Sequence, residues 1–265
     1  MTIDTKIEEQ MTGQRELELI TAANLLLDAR RTGQTFPDLP TNLQPTDMTE
    51  VDFVQDTVAA AYGPIGGWKI GAGSPEAIPI FAPMPLAWIA PSGSLLSGDR
   101  IRFRGLEAEV AFLVGQDLPP RATPYTREEA VAAMASCHPA IEALESAITD
   151  PSNTTRFSQL ADLQSHGGFI YGPAYPDWQS VDFNTERVTL SVDGILRVDR
   201  TGSNTSGDLV KLLPWLANHG ATRTGGLKAG QWITTGSWTG NTLASAGSHV
   251  EATFSTAGAV TLNFA

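Results

Sequence analysis

Glu107 and Glu109 stand one residue apart in the stretch GLEAEVAF, residues 105–112. On a strand, alternation puts both carboxylates on one face, about 7 Å apart. They repel there unless a cation or a shared proton compensates. The surroundings are not a simple solvated edge. Leu106, Ala108, Val110, Phe112 and Val114 line one face, and Ala111 and Leu113 continue the face of the glutamates. Pairing with Arg102, Arg104 or a distant lysine is one resolution, and a bound metal is the other. Two more acidic residues, Glu142 and Glu145, lie in HPAIEALESAI. Read as a strand, that segment sends them to opposite faces, so only one can join a common site. A hard divalent cation such as Mg2+ or Mn2+ takes carboxylate and water oxygens. Two glutamates at i and i+2, with a third from a neighbouring strand, supply three ligands and leave positions open for substrate.

Lys69 sits between Trp68 and Ile70 ahead of a glycine-rich turn. A lysine on a buried strand is costly unless paired, and burial moves its pKa toward values useful in proton transfer. A snorkelling or salt-bridged lysine is the plainer reading. LQSHGG (163–168) gathers Gln164, Ser165 and His166 before a strand, and TTGSWTG (234–240) puts Ser237 and Thr239 in a tight turn. Both stretches also read as ordinary turn chemistry. The four histidines (138, 166, 219 and 249) show no zinc-ligand spacing. Cys137 and His138 are strand neighbours that point to opposite faces, and GxSxG is absent, which disfavours hydrolase triads. GAGSPE lacks GxGxxG, so a dinucleotide site has little support.

The elements that must position these residues follow from periodicity. Residues 1–13 read as a loose tail and 14–66 as a helical region. Within it, 14–34 places Leu17, Ile20, Leu25, Leu26 and Leu27 near one stripe and ends in Gly33, and 48–63 is a second amphipathic helix closed by Gly63. The proline-rich TFPDLPTNLQPT links them. Residues 67–265 read as a β-rich catalytic core, with strands near 101–104, 107–114, 138–147, 167–171, 187–193, 231–236, 249–255 and 259–264. TREEAVAAMASC opens a helix with a capping box from Thr126 to Glu129. GDLVKLLPWLANHG reads as another helix that Pro214 kinks or starts. A helical N-terminal cap on a mostly β core, of α+β class, is the expected architecture.

Composition narrows the function. The chain has 265 residues, 42% of them hydrophobic, and a net charge of −12. No basic cluster is present to hold phosphates, so nucleic acid is not an expected partner. An anionic membrane surface is disfavoured for the same reason. No apolar run approaches the ~18 residues of a membrane span, and the polar start MTIDTKIEEQMTGQ does not read as a targeting segment. The single Cys137 excludes an internal disulfide framework and suits a reducing, cytoplasmic setting.

Several stretches occur together in a recognisable order: ANLLLDARRTG, WKIGAGS, LEAEVAFLVGQDLP, HPAIEALES and LKAGQWITTGSWTG. From about residue 16 to the end, the chain resembles the fumarylacetoacetate hydrolase superfamily, in its branch of 2-keto-4-pentenoate hydratases and 4-oxalocrotonate decarboxylases. The resemblance implies a mixed β-sheet roll. It also implies a Mg2+ or Mn2+ site at Glu107, Glu109 and Glu142, and a pocket lysine, catalytic here, at Lys69. Substrate contacts are implied at Gln164 and Ser165, where DLQS matches a DN-x-S turn, and at Ser237 and Thr239 in the late G-[ST]-x-[ST]-G turn. The implied activity is a hydratase adding water to a small anionic 2-hydroxy-2,4-dienoate or its 2-keto tautomer, giving a 4-hydroxy-2-keto acid. Decarboxylation of a 2-keto diacid, C–C hydrolysis of a β-diketone and a non-catalytic scaffold partner are the alternatives. A homo-oligomer is expected, with room for a complex with a related decarboxylase or hydratase. The chain departs from the pattern in three places. Leu163 replaces the asparagine of DN, Ala147 stands where an arginine often follows, and the stretch after Lys69 lacks an acidic residue. Glu76 and His166 are the candidates to replace that acid.

Overall fold

The computed structural model describes residues 13–175 and 177–265. Of the tail read at 1–13, residues 1–12 lie outside the described residues, and Gly13 already opens α1 (Gly13–Thr32). The buried seam of α1 is Leu19, Ala22, Ala23, Leu26, Ala29 and Arg30, whereas Leu17 and Leu25 are exposed. The expected leucine stripe is therefore rotated. Leu19 and Leu26 with Ala22, Ala23 and Ala29 share an apolar cluster with Val54, Val58 and Ala59 of α2 (Met48–Ala60). Asp47 caps α2 by accepting from the Glu50 amide. The two helices share an apolar cluster with Trp88, Ala147, Ala161 and Leu163, so the cap rests on the segment that carries the LQSHGG turn.

Along the chain then come β1 (Ile65–Gly71), β2 (Ile80–Pro85), β3 (Ile89–Pro91) and β4 (Ser94–Leu96). They are followed by β5 (Gly105–Val114), α3 (Arg127–Ala132), β6 (Met134–Leu144), α4 (Arg156–Ala161) and β7 (His166–Tyr171). The last third supplies β8 (Arg187–Val192), β9 (Ile195–Thr201), α5 (Leu212–Trp215) and β10 (Trp232–Thr234). It ends with β11 (Thr242–Leu243), β12 (His249–Phe254) and β13 (Gly258–Phe264). One sheet runs β2-β1-β10-β5-β6-β7-β3 with β11 beside β5, and a second runs β4-β13-β12-β8-β9. The pairs β1–β10, β3–β7 and β13–β4 are parallel and the others antiparallel. The fold is therefore α+β with mixed sheets and a helical N-terminus.

Several strand readings shift. Residues 101–104 form no strand, and Arg104 takes a left-handed φ of 52° just before β5 begins. β6 ends at Leu144, which leaves Glu145 beyond it. β2 escapes the pattern because Pro83 and Pro85 sit in it, which is tolerated at a sheet edge. β9 escapes it because its Arg197, Asp199 and Arg200 mark the exposed edge of the second sheet. The capping box at α3 forms as expected. Residues 209–224 are not one helix but short 3-10, α and π turns in succession, with Pro214 inside α5.

Both faces of the large sheet are covered. Leu106, Ala108, Val110 and Phe112 join Trp68, Ile70 and the second sheet's Val250 and Leu262 in the main core. On the glutamate side, Ala111 and Ala140 pack with Met84, Phe169 and Trp232. Any polar group on that side, beyond this apolar cluster, therefore needs a partner.

Candidate metal centre

The register of β5 against β6 puts Glu107 directly opposite Glu142, with Glu109 two residues along the same face. Like charges paired across strands are destabilising, and this triplet is largely out of water: Glu109 is 1% and Glu142 0% exposed. One carboxylate oxygen from each of the three lies within 4.8 Å of the others. No other such group of His, Cys, Asp or Glu occurs among the described residues. The expected convergence of the three glutamates is therefore present in the geometry, and none pairs with Arg102 or Arg104.

Lys69 reaches the same place from β1, which lies parallel to β10 with Lys69 level with Thr234. Alternation sends Trp68 and Ile70 into the main core and the ammonium to the glutamates. Lys69 Nζ donates to Glu142 Oε1 at 2.7 Å and to the Gln164 carbonyl at 3.0 Å. Glu109 accepts from Thr234 Oγ1 and from the Gly236 amide, the latter at 2.9 Å. Gly236 has φ +91°, so glycine is what lets this amide turn onto the carboxylate. His166 Nδ1 also lies 2.7 Å from Glu142 Oε1. Glu142 Oε2, by contrast, is buried without any partner.

The turn beside the cluster is strained. Leu163, Gln164 and Ser165 have φ of 51°, 51° and 60°, a left-handed run costing roughly 1–2 kcal/mol per residue. A buried clamp holds it. Asp162 accepts from Arg30 Nε at 2.6 Å, Ser146 Oγ at 2.7 Å and the Ala147 amide at 2.8 Å. Arg30 also donates to the carbonyls of His166, Glu145 and Asp162. The helical cap thus latches the turn through one arginine. Removing one partner of such a buried pair costs about 3–5 kcal/mol.

A cavity of about 280 Å³ opens over the carboxylates, lined by Lys69, Gln164 and Ser237 together with Gln159, Thr205 and apolar Ile80 and Leu160. Gly71, Ala72 and Gly73, the turn after Lys69, also line it. Two larger clefts, near Trp88 and near Trp178, lack the converging carboxylates, so size does not select the site.

Ser165 and Thr239 do not line the cavity. Ser165 is bonded through its backbone, to Asp162 and Glu145. Thr239 Oγ1 accepts from the Ala108 amide and donates to the Gly240 carbonyl. Both serve the turns that present their neighbours. Of the two candidate replacement acids, Glu76 is exposed and outside the cavity, and His166 is buried behind Glu142. Arg30 and Asp162 went unassigned in the sequence. DARRTG and DLQS carry them, but nothing local marks the two as partners.

Charge explains the titration of the cluster. Burial, then the neighbouring Glu142, pushes the Glu107 carboxyl up to about 7. Burial, then the neighbouring Glu142 and Glu107, raises Glu109 well above the usual carboxylate range. Burial also disfavours the Glu142 anion, but the Lys69 ammonium and the His166 hydrogen bond more than offset it, and its pKa falls. Three carboxylates against one ammonium leave a charge deficit that a divalent cation balances. Metal binding must then displace protons near neutral pH. A carboxyl with a raised folded pKa stabilises the metal-free protein below its unfolded pKa, and that contribution is lost as pH rises through about 7. Saturating Mg2+ is therefore expected to raise Tm more at pH 8 than at pH 6. Calorimetry in buffers of different ionisation enthalpy should show proton release. Equal Tm gains and no released proton would contradict this charge assignment.

No protein-family model matches the chain. A 2-hydroxyhexa-2,4-dienoate hydratase from Comamonas testosteroni is 28% identical over 158 residues, 60% of this chain. The chain thus spans only 59% of that relative's length. Among solved structures, the 4-oxalocrotonate decarboxylase from Pseudomonas putida G7, complexed with magnesium and adipate, matches at a TM-score of 0.81 and 20% identity. That match covers 97% of this chain and 100% of the decarboxylase. A 2-hydroxyhepta-2,4-diene-1,7-dioate isomerase from Mycobacterium marinum matches at 0.56 and 19% identity, over 76% of this chain and 75% of that one.

Proposed function

We propose that this chain, whose fold is that of the fumarylacetoacetate hydrolase superfamily, is a metal-dependent hydratase of a small 2-hydroxy-2,4-dienoate or its 2-keto-4-enoate tautomer. The product is a 4-hydroxy-2-keto acid, formed by adding water at C4. The observation that carries this reading is the lone cation that the described residues supply to the cavity. Among the described residues, Lys69 is its single positively charged lining residue, and Ile70, Ile80, Leu160, Ala72, glycines and neutral polar groups make up the rest beyond the glutamates. A monoacid sets its one carboxylate and its 2-oxygen toward the charged end and its short tail against the apolar lining. A diacid would strand a second carboxylate there without a partner, at a large desolvation cost.

Glu107, Glu109 and Glu142 fit Mg2+ or Mn2+: they are hard oxygen donors, they converge, and Glu142 keeps a buried oxygen unpartnered. When bound, the cation supplies an electrophile for the substrate's carboxylate and 2-oxygen and for the charge that gathers there. Lys69 is held cationic. Burial opposes its charge, but Glu142, Glu107 and Glu109 outweigh burial and raise its pKa. It attracts the anionic substrate and is an acid proton source for the carbon chain. Gln164 and Ser237 line the cavity beside it and orient substrate and water through amide and hydroxyl groups.

A second reading, decarboxylation of a 2-keto diacid, is favoured by the full-length likeness to a decarboxylase crystallised with adipate. One assay separates the two. The purified protein is stripped with chelator and offered 2-hydroxy-2,4-dienoates and 2-keto diacids, with and without added Mn2+. Loss of the dienoate absorbance without CO2 release is expected, only with metal, and at least ~10-fold faster for monoacids, about 1.4 kcal/mol of discrimination. CO2 released from diacids, with monoacids inert, would establish the decarboxylase instead.

A further inference from the structure

We infer that His166 is a positioning residue for the metal centre: its imidazole and the Lys69 ammonium together hold Glu142 Oε1, which leaves Oε2 to the cation. The inference rests on the metal site proposed above. The sheet contains a conflict. Glu142 faces Glu107 across the ladder, and an untethered carboxylate there would turn away from its neighbour. Two donors prevent that. Lys69 Nζ and His166 Nδ1 each lie 2.7 Å from Oε1, and the carboxylate is 0% exposed. With Oε1 occupied twice and Oε2 unpartnered, Oε2 is the oxygen left for a ligand.

The fold places the imidazole there through a defect. Glu142 pairs with Phe169 across β6 and β7, so a regular ladder would send Gly167, not His166, to the Glu142 face. A register shift between Ala143 and Leu144 changes the parity, and Leu144 pairs with His166. Bulges re-aim side chains in this way. A Cβ on Gly167 would stand 2.6 Å from Glu145 Cβ and 2.9 Å from the Glu145 amide nitrogen, so glycine permits the close crossing. The His166 carbonyl is held by Arg30 at 2.9 Å and its ring lies against Trp88, centroids 5.8 Å apart. Nε2 is buried with no partner. An unmet acceptor there is cheaper than an orphaned N–H, so the proton belongs on Nδ1, donating to Glu142.

The test measures Mn2+ affinity by calorimetry in the wild type, His166→Asn and His166→Phe, with thermal melts for each. Asn can place an amide N–H where Nδ1–H stands, whereas Phe keeps the ring without a donor. Phe is expected to weaken Mn2+ about 10- to 100-fold, the scale of orienting partners behind metal ligands, and Asn to restore most of the loss. Equal affinity in all three proteins, or equal loss in Asn and Phe, would overturn the role. Should the Phe variant not fold, 15N-histidine spectra of the wild type decide the matter. A protonated Nδ1 and bare Nε2 in the Mn2+-free protein are expected, and the opposite tautomer would overturn the inference. A wild type that binds no Mn2+ but shows the expected tautomer would instead defeat the metal site itself.

Discussion

Glu142→Gln is expected to weaken Mg2+ and Mn2+ binding by more than ~100-fold, beyond the range of residues that act only from behind a ligand. The amide oxygen can still accept from Lys69 and His166 at the Oε1 position. Its nitrogen then occupies the place of Oε2, the buried oxygen with no partner, and presents N–H groups where a cation needs a lone pair. The fold should survive, because the substitution also removes a like charge facing Glu107. Glu145→Gln is the matched control. Its carboxylate accepts from the amides of Arg102, Phe103 and Ser146, so its loss should lower stability by about 1–3 kcal/mol and leave cation affinity near wild type. Titration calorimetry on both variants reads the difference directly. Equal losses of affinity would mean that Glu142 is not a ligand.

Lys69→Met should cut kcat/KM by about 10²-fold or more, on the scale of general acid–base catalysis, while the cation binds no more weakly than before. The aliphatic stem is mimicked and Trp68 and Ile70 still anchor β1 in the core, so folding is preserved. Removing the ammonium takes one of the two donors from Glu142 Oε1 but leaves His166 there. It also takes positive charge away from Glu142, Glu107 and Glu109, which offsets the lost tether by making the cluster more attractive to a cation. Metal affinity and turnover are therefore expected to separate in this variant. A wild-type rate on the true substrate would reduce Lys69 to a structural ion pair with Glu142.

The sequence by itself determined the local parts. Period-two alternation placed Glu107 and Glu109 on one face and turned Lys69 away from Trp68 and Ile70. The capping box at Thr126 was legible because its partners lie three residues apart, whereas the Asp47 cap of α2 was not read. An ordered set of short motifs pointed to the fold and to the third glutamate. What the tertiary structure alone decided is how distant pieces meet. The α1 seam turned out to combine Leu19 and Leu26 with three alanines and Arg30, while Leu17 and Leu25 stayed exposed, because the packing of the cap against its neighbours chose the face. β6 stopped before Glu145 and a register shift brought His166 round to Glu142, and neither event leaves a local trace. The contacts that complete the centre span 24 residues for His166 to Glu142, 73 for Lys69 to Glu142 and 132 for Arg30 to Asp162. Alternation and capping follow from sterics and hydrogen bonds within a few residues. A buried charge finds its partner only when the packed sheet leaves it no water, whatever the separation along the chain.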